Sequence, residues 1–271
     1  MATKRRGKVL TLLAVVGGSY LALCGAARAF YPRILFPAPS IEGQPPIDDP
    51  NAKLVKFGQT SGLHWPAPSP DAPTIVMFHG NGETIFHGLT MGAELHKRGR
   101  GVLLVEYRGY GMQHGAPPSE AMLYEDGEAA IAWLASQGVT DTQLHVFGWS
   151  LGSGVAAEMA YRGHGSKLVL VSPFTSITNM GKRFAPFLPV SLLLSHRLDT
   201  IGKAPSIRQP ALVLHGDADE LIPVEMGEKV AAALPNAKLV RVARGHHADL
   251  FWPGSGASPA ANALFDLVTT F

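Results

Sequence analysis

A serine hydroxyl is a weak nucleophile until a base takes its proton. Chemistry at a serine therefore needs an imidazole, an acid to orient that imidazole, and a turn that presents the hydroxyl. Gly148-Trp149-Ser150-Leu151-Gly152 is a G-x-S-x-G sequence that follows an apolar run at 144–147 and leads into a helix-like run at 151–161. A chain turning that sharply holds its central residue strained, and glycines two before and two after keep neighbouring backbone clear. Ser150 would then project near the first free amides of the helix, which favour developing negative charge. The acid and base follow in chain order. Asp217 and Asp219 both qualify as the acid, and His246 and His247 both qualify as the base. They come just past apolar runs at 211–214 and 239–242, at the strand ends where open α/β sheets bind ligands. His79-Gly80-Asn81-Gly82 ends a further run at 74–78. The backbone N–H groups of Asn81 and Leu151 are the expected oxyanion donors, with His79 bracing the loop.

The elements that must position these residues recur regularly. Short apolar, β-branched runs at 54–57, 74–78, 102–105, 144–147, 168–171, 211–214 and 239–242 read as strands. Helix-like stretches at 120–137, 151–161, 224–234 and 260–267 lie between or after them. This alternation predicts an α/β fold with a mostly parallel central sheet and helices on both faces. Residues 36–73 read as a proline-rich, extended lead-in with one strand. An insertion at 172–209, rich in Phe and Leu and broken by Pro186 and Pro189, follows the run at 168–171 and breaks the alternation. Its apolar residues either wall an acyl pocket beside Ser150 or simply cover the sheet.

Composition bounds the remaining classes. The chain has 271 residues, 46% hydrophobic and 16% charged, which suits one sizeable core and excludes extensive disorder. Lys4, Arg5, Arg6, Lys8 and Arg28 lie within the first 29 residues. Setting these five aside reduces the 23 basic residues to 18 against 21 acidic ones, so no nucleic-acid footprint is expected. The single cysteine, Cys24, excludes an internal disulfide. The histidines show no H-E-x-x-H or comparable ligand spacing, and neither metal nor organic cofactor is expected. Residues 9–27 carry no charge, long enough to cross a hydrocarbon core, and follow a basic flank. Residues 1–29 are thus a retained membrane anchor or a signal peptide cleaved after Ala27-Arg28-Ala29, with residues 30–271 as the domain. The positive-inside rule then places that domain outside the cytoplasm, membrane-anchored or, if cleaved, secreted or periplasmic.

With these pieces together, the chain resembles the α/β-hydrolase superfamily over about residues 34–271. The resemblance is to membrane-tethered or exported serine hydrolases related to depalmitoylating thioesterases and serine aminopeptidase-like proteins. It is carried by His79-Gly80-Asn81-Gly82, Tyr107-Arg108-Gly109-Tyr110-Gly111, the Ser150 motif, His215-Gly216 with Asp219 and Pro223, and Gly245-His246. Glu106 departs from the usual aspartate, and Met112-Gln113 from small polar residues. The resemblance implies Ser150, Asp219 and His246 as the catalytic set, Arg108 as structural, and the insertion that opens at Ser172-Pro173-Phe174 as the lid-like segment after strand six of that fold. It implies a serine hydrolase acting on carboxylic esters or thioesters of a small-molecule acyl substrate through an acyl-enzyme. A serine peptidase using the same triad, or a non-catalytic tethered binding protein, are the alternatives.

Overall fold

The computed structural model describes residues 2–115, 117–251 and 259–271. Helix α1 (Ala2–Leu35) precedes a hairpin of β1 (Lys53–Phe57) and β2 (Thr60–Trp65). Then come β3 (Thr74–Phe78), α2 (Leu89–Lys97), β4 (Gly101–Val105), α3 (Glu120–Ser136), β5 (Leu144–Trp149), α4 (Leu151–Tyr161) and β6 (Lys167–Val171). The insertion carries three short helices, α5 (Ile177–Phe184), α6 (Val190–Leu193) and α7 (Thr200–Lys203). The chain finishes with β7 (Ala211–Gly216), α8 (Val224–Ala233), β8 (Ala237–Val242) and α9 (Pro259–Thr270).

All eight strands form one sheet in the order β1-β2-β4-β3-β5-β6-β7-β8. β2 is antiparallel to both β1 and β4, and every pairing from β4 through β8 is parallel. The sheet is buried on both faces, which is why its strands read as continuous apolar runs. Alternate residues serve opposite layers. Val76, Phe78, Leu103, Val105 and Val146 pack with Leu123 and Leu134 of α3, Val155 and Met159 of α4, and Val230 of α8. Ile75, Met77, Val102, Leu104 and Phe147 pack with Met91 and Leu95 of α2 and with Phe265 and Val268 of α9. Each such side chain contributes about 1.5–3 kcal/mol on burial.

Two features depart from the sequence expectations. β2 lies inside the stretch expected to be an extended lead-in, because its short T-S-G-L-H-W run has too few β-branched residues to stand out. α1 also runs unbroken past residue 29 to Leu35, so the expected boundary between anchor and domain falls inside a helix. Its stretch from Arg6 to Leu35 is long and apolar enough to cross a membrane by length and composition.

The insertion sits over the C-terminal edge of the parallel strands. Pro186 follows the end of α5, since proline lacks the N–H a continuing helix needs, and Pro189 stands at the N-cap of α6. The backbone N–H groups of Arg197 and Leu198 donate to the Glu120 carboxylate at 2.6 and 3.0 Å, pinning the insertion to the first turn of α3.

Candidate active site

β5 delivers Ser150 into a turn with φ 51° and ψ −117°, a conformation that an L residue rarely adopts. The flanking glycines are steric necessities. A Cβ at Gly148 would lie 2.2 Å from the Gly152 carbonyl oxygen, and one at Gly152 would lie 2.0 Å from the Phe78 carbonyl oxygen. The packing of β5, α4 and the end of β3 therefore leaves no room for side chains at these positions, and the strain falls on Ser150. The serine is only 8% exposed.

His247 Nε2 lies 3.0 Å from Ser150 Oγ, and its Nδ1 lies 2.8 Å from Asp219 Oδ2. Asp219 Oδ1 accepts the N–H groups of Leu221 and Ile222 at 3.0 and 2.8 Å. Burial pushes the Asp219 carboxyl up, but hydrogen bonds from His215, His247 and the Ile222 amide outweigh it and hold the group well below the usual carboxylate range. An ionised Asp219 takes the Nδ1 proton as its hydrogen bond and leaves Nε2 as the acceptor facing the serine.

The sequence expectation of His246 is corrected by this geometry. The backbone N–H of His246 is captured by Asp249 Oδ1 at 2.7 Å, and its ring turns outward to Glu220 at 3.2 Å, with the side chain 57% exposed. The loop after β8 turns through Arg244, at φ 56°, and Gly245, whose carbonyl packs against Gly216 so tightly that a Cβ there would lie 2.1 Å away. That contact fixes the loop's path, and its next inward side chain belongs to His247. Asp217 does not reach the imidazole; its Oδ1 accepts the Arg244 N–H at 2.6 Å and braces the same loop.

Asn81 and Leu151 line one cavity with Ser150. Leu151 is the first residue of α4, so its N–H has no intrahelical acceptor. The loop after β3 is held on several sides. Glu83 Oε2 accepts the Gly80 N–H at 2.8 Å, and Tyr107 donates to the His79 carbonyl at 3.1 Å. His79 Nε2 meets the buried Glu106 carboxylate at 3.1 Å. Burial pushes the His79 imidazole down, but the bonds and charge of Glu106 outweigh it and raise the group above its ordinary value. The larger acid at 106 thus reaches under the loop. Asn81 itself is gripped at both ends of its amide, accepting from Tyr110 Oη at 2.9 Å and donating to the Leu35 carbonyl at 2.7 Å.

Sequence reasoning missed His215, whose Nε2 donates to the Ile222 carbonyl at 2.8 Å while standing 3.4 Å from Asp219. It also missed the Tyr110, Asn81 and Leu35 chain, which joins elements distant in sequence. Its one available signal was the tyrosine spacing around Arg108. Arg108 bridges Asp126 and Glu125, with both contacts at 2.6 Å, and holds that turn against α3.

The cavity over Ser150 has a volume of about 550 Å³. Its walls come from the insertion (Phe174, Ile177, Met180, Leu188, Val190) and from Tyr31, Ile34 and Leu35 of α1. Among the described residues no aspartate or glutamate lines it. Among the described residues no group of three or more His, Cys, Asp or Glu is placed to hold a metal ion.

Comparison with known proteins places this chain among relatives. Residues 69–202 match the family described as serine aminopeptidase, S33. An uncharacterised protein of Mycobacterium tuberculosis is 36% identical over 183 residues, covering 67% of this chain and 62% of that one. The chain thus spans less than two thirds of that relative's length. The α/β hydrolase domain-containing protein WAV2 of Arabidopsis thaliana is 31% identical over 214 residues, covering 71% of this chain and 69% of that one. Among solved structures, an esterase of Pyrococcus furiosus superposes with a TM-score of 0.68 at 20% identity, covering 86% of this chain and 95% of that one, a likeness of fold.

Proposed function

The chain belongs to the α/β-hydrolase superfamily, and from that premise we propose that it is a serine hydrolase of carboxylic esters or thioesters with an apolar acyl part. The observation that carries this reading is the Ser150, His247, Asp219 line, with contacts of 3.0 and 2.8 Å, opening onto an apolar cavity. Ser150 Oγ attacks the acyl carbonyl while His247 Nε2 takes its proton. Asp219 fixes the imidazole tautomer and stabilises the imidazolium. The N–H groups of Asn81 and Leu151 receive the tetrahedral oxyanion. Collapse breaks the bond to the leaving alkoxide or thiolate, which takes the proton from His247. Water, deprotonated by the same imidazole, then releases the acid from Ser150.

The family match to serine aminopeptidases favours a second reading, a peptidase on the same triad. An aminopeptidase must hold a protonated amine, and among the described residues the cavity wall carries no carboxylate to do so. The ester reading is therefore preferred. α1 supplies a membrane anchor whose basic flank stays cytoplasmic and whose domain lies on the far side.

A fluorophosphonate probe tests the nucleophile: the native chain is expected to label and Ser150→Ala to stay blank. Equal labelling of the two would remove Ser150 from the role. Turnover of p-nitrophenyl esters of graded chain length, beside aminoacyl amides, separates the two readings. Faster cleavage of the amides would favour the peptidase.

A further inference from the structure

The insertion does not only cover the site; it also leans against the anchor. Tyr20 Oη donates to the Phe187 carbonyl at 2.9 Å, and Tyr31 Oη accepts the Ser195 N–H at 3.0 Å. Tyr20 lies seven residues before Ala27, the last residue of the uncharged run, which is about 10 Å along a helix axis. The contact therefore places Phe187 beside a part of α1 that lies within the apolar stretch. On this side the insertion exposes Phe184, Phe187 and Leu192 by 62%, 63% and 84%. Such bulky apolar side chains are costly to leave in water, at about 1.5–3 kcal/mol each. Exposed Lys182 and Arg183 flank them on the insertion, and exposed Arg28 and Arg33 on the helix, a pattern of apolar tips beside cations that suits anionic lipid headgroups. The cavity opens on the same side, since two of its lining residues, Ile34 and Phe184, are themselves largely exposed.

We propose that the end of α1 and the insertion form one membrane-embedded face, so that the cavity opens into the outer leaflet and admits the acyl chain of a bilayer-resident lipid ester directly from the membrane. The occupant of this face is the lipid bilayer, and continuity with the spanning helix is what selects it. An interfacial element typically sits about 5–10 Å into the headgroup and acyl boundary, which matches the depth at which Phe187 meets Tyr20. The substrate half of this proposal rests on the hydrolase reading above; the membrane face does not.

The test uses the full chain reconstituted in vesicles of phosphatidylcholine and phosphatidylglycerol. Leu192→Cys in a Cys24→Ser background is labelled with an environment-sensitive fluorophore, and Lys97→Cys on the far side of the domain serves as reference. A nitroxide on the lipid acyl chain is expected to quench the probe at 192 and not the probe at 97. Equal, weak quenching at both would overturn the membrane face. In parallel, Phe187→Ser/Leu192→Ser is assayed on a vesicle-borne monoacylglycerol and on water-soluble p-nitrophenyl butyrate. The expected result is a loss of about tenfold or more on the lipid ester, with the soluble ester within about twofold of the native rate, as follows from removing apolar anchoring alone. Proportional loss on both, or loss on neither, would overturn entry from the membrane. If the native chain cleaves neither ester, the hydrolase reading fails, and entry of substrate from the membrane fails with it. Quenching still decides the membrane face on its own.

Discussion

Replacing each of the two adjacent histidines with alanine separates the geometry from the expectation read off the sequence. His247 touches Ser150 and Asp219 at once, at 3.0 and 2.8 Å, so His247→Ala removes the proton acceptor and leaves the serine hydroxyl at its ordinary, weak nucleophilicity. Losing a positioned general base costs about 10²–10⁴ in rate, which is about 2.7–5.4 kcal/mol of activation barrier at about 1.36 kcal/mol per tenfold. The upper half of that range is expected here, because Asp219 is also left without the group it orients. His246 has no path to the reaction. Its ring is 57% exposed and, among the described residues, pairs with an exposed Glu220, an interaction that solvent and salt screen. His246→Ala should therefore keep kcat/KM within about threefold, a change typical of a surface site. The assay is kcat/KM on p-nitrophenyl butyrate for both variants, beside the second-order rate of fluorophosphonate labelling. Circular dichroism would show that both remain folded. If His246→Ala loses activity by three orders of magnitude while His247→Ala stays within threefold of native, the loop geometry after β8 is not the one that operates, and the reasoning from it fails.

Three further outcomes follow from the same structure. Asp219→Asn is expected to lower turnover about 10³–10⁴-fold through loss of the correct imidazole tautomer, whereas Asp217→Asn, which keeps an oxygen for the Arg244 N–H, should change it little; steady-state kinetics on one ester rank the two. Ser150→Gly should melt higher than Ser150→Ala, because both lose the hydroxyl but only glycine adopts φ 51°, ψ −117° without strain, a gain of about 1 kcal/mol; calorimetry in detergent reads the difference. Stability should also fall with acid before the carboxylates titrate. Burial in the sheet, then the charges of Lys167 and Arg100, lower His145 from 6.5 to about 4, and burial lowers His64 likewise to about 4. Both stay neutral when folded and take a proton when unfolded, so this stability is complete above pH 6.5 and is lost as pH falls toward 4. For His145 the loss between pH 7 and pH 5 is about 1–2 kcal/mol. Thermal melts at those two pH values measure it, and a flat profile would show that the histidines are protonated in the folded chain.

The site was legible in the sequence wherever a residue's role depends on its immediate neighbours. Ser150 declares itself because the two flanking glycines are forced by contacts that any strand turning tightly into a helix must make. The acid was narrowed by position to Asp217 or Asp219, just past the apolar strand β7, and the family resemblance selected Asp219. The parallel sheet shows because its strands, buried on both faces, concentrate aliphatic residues in short runs. β2 did not show, since four of its six residues, Thr60, Ser61, Gly62 and His64, are small or polar and its burial comes from pairing with β1 and β4.

The choice between His246 and His247 lay beyond the sequence for a physical reason. In an irregular loop there is no fixed period relating residue number to side-chain direction. The direction is set where Gly245 presses on Gly216 at the end of β7, a contact between segments distant in the chain, and where Asp249 takes the His246 amide within the loop so positioned. The same holds for the grip of Leu35 on Asn81 and of Tyr20 on Phe187, each spanning a large separation along the chain. The sequence by itself determined that an alcohol, a carboxylate and an imidazole would meet at one edge of a parallel sheet, because the order and spacing of strands carry that information locally. Tertiary packing alone decided which imidazole arrives there, and that the N-terminal helix α1 becomes a wall of the cavity. Those outcomes depend on long-range contacts whose geometry exists only once the sheet, the insertion and α1 are assembled.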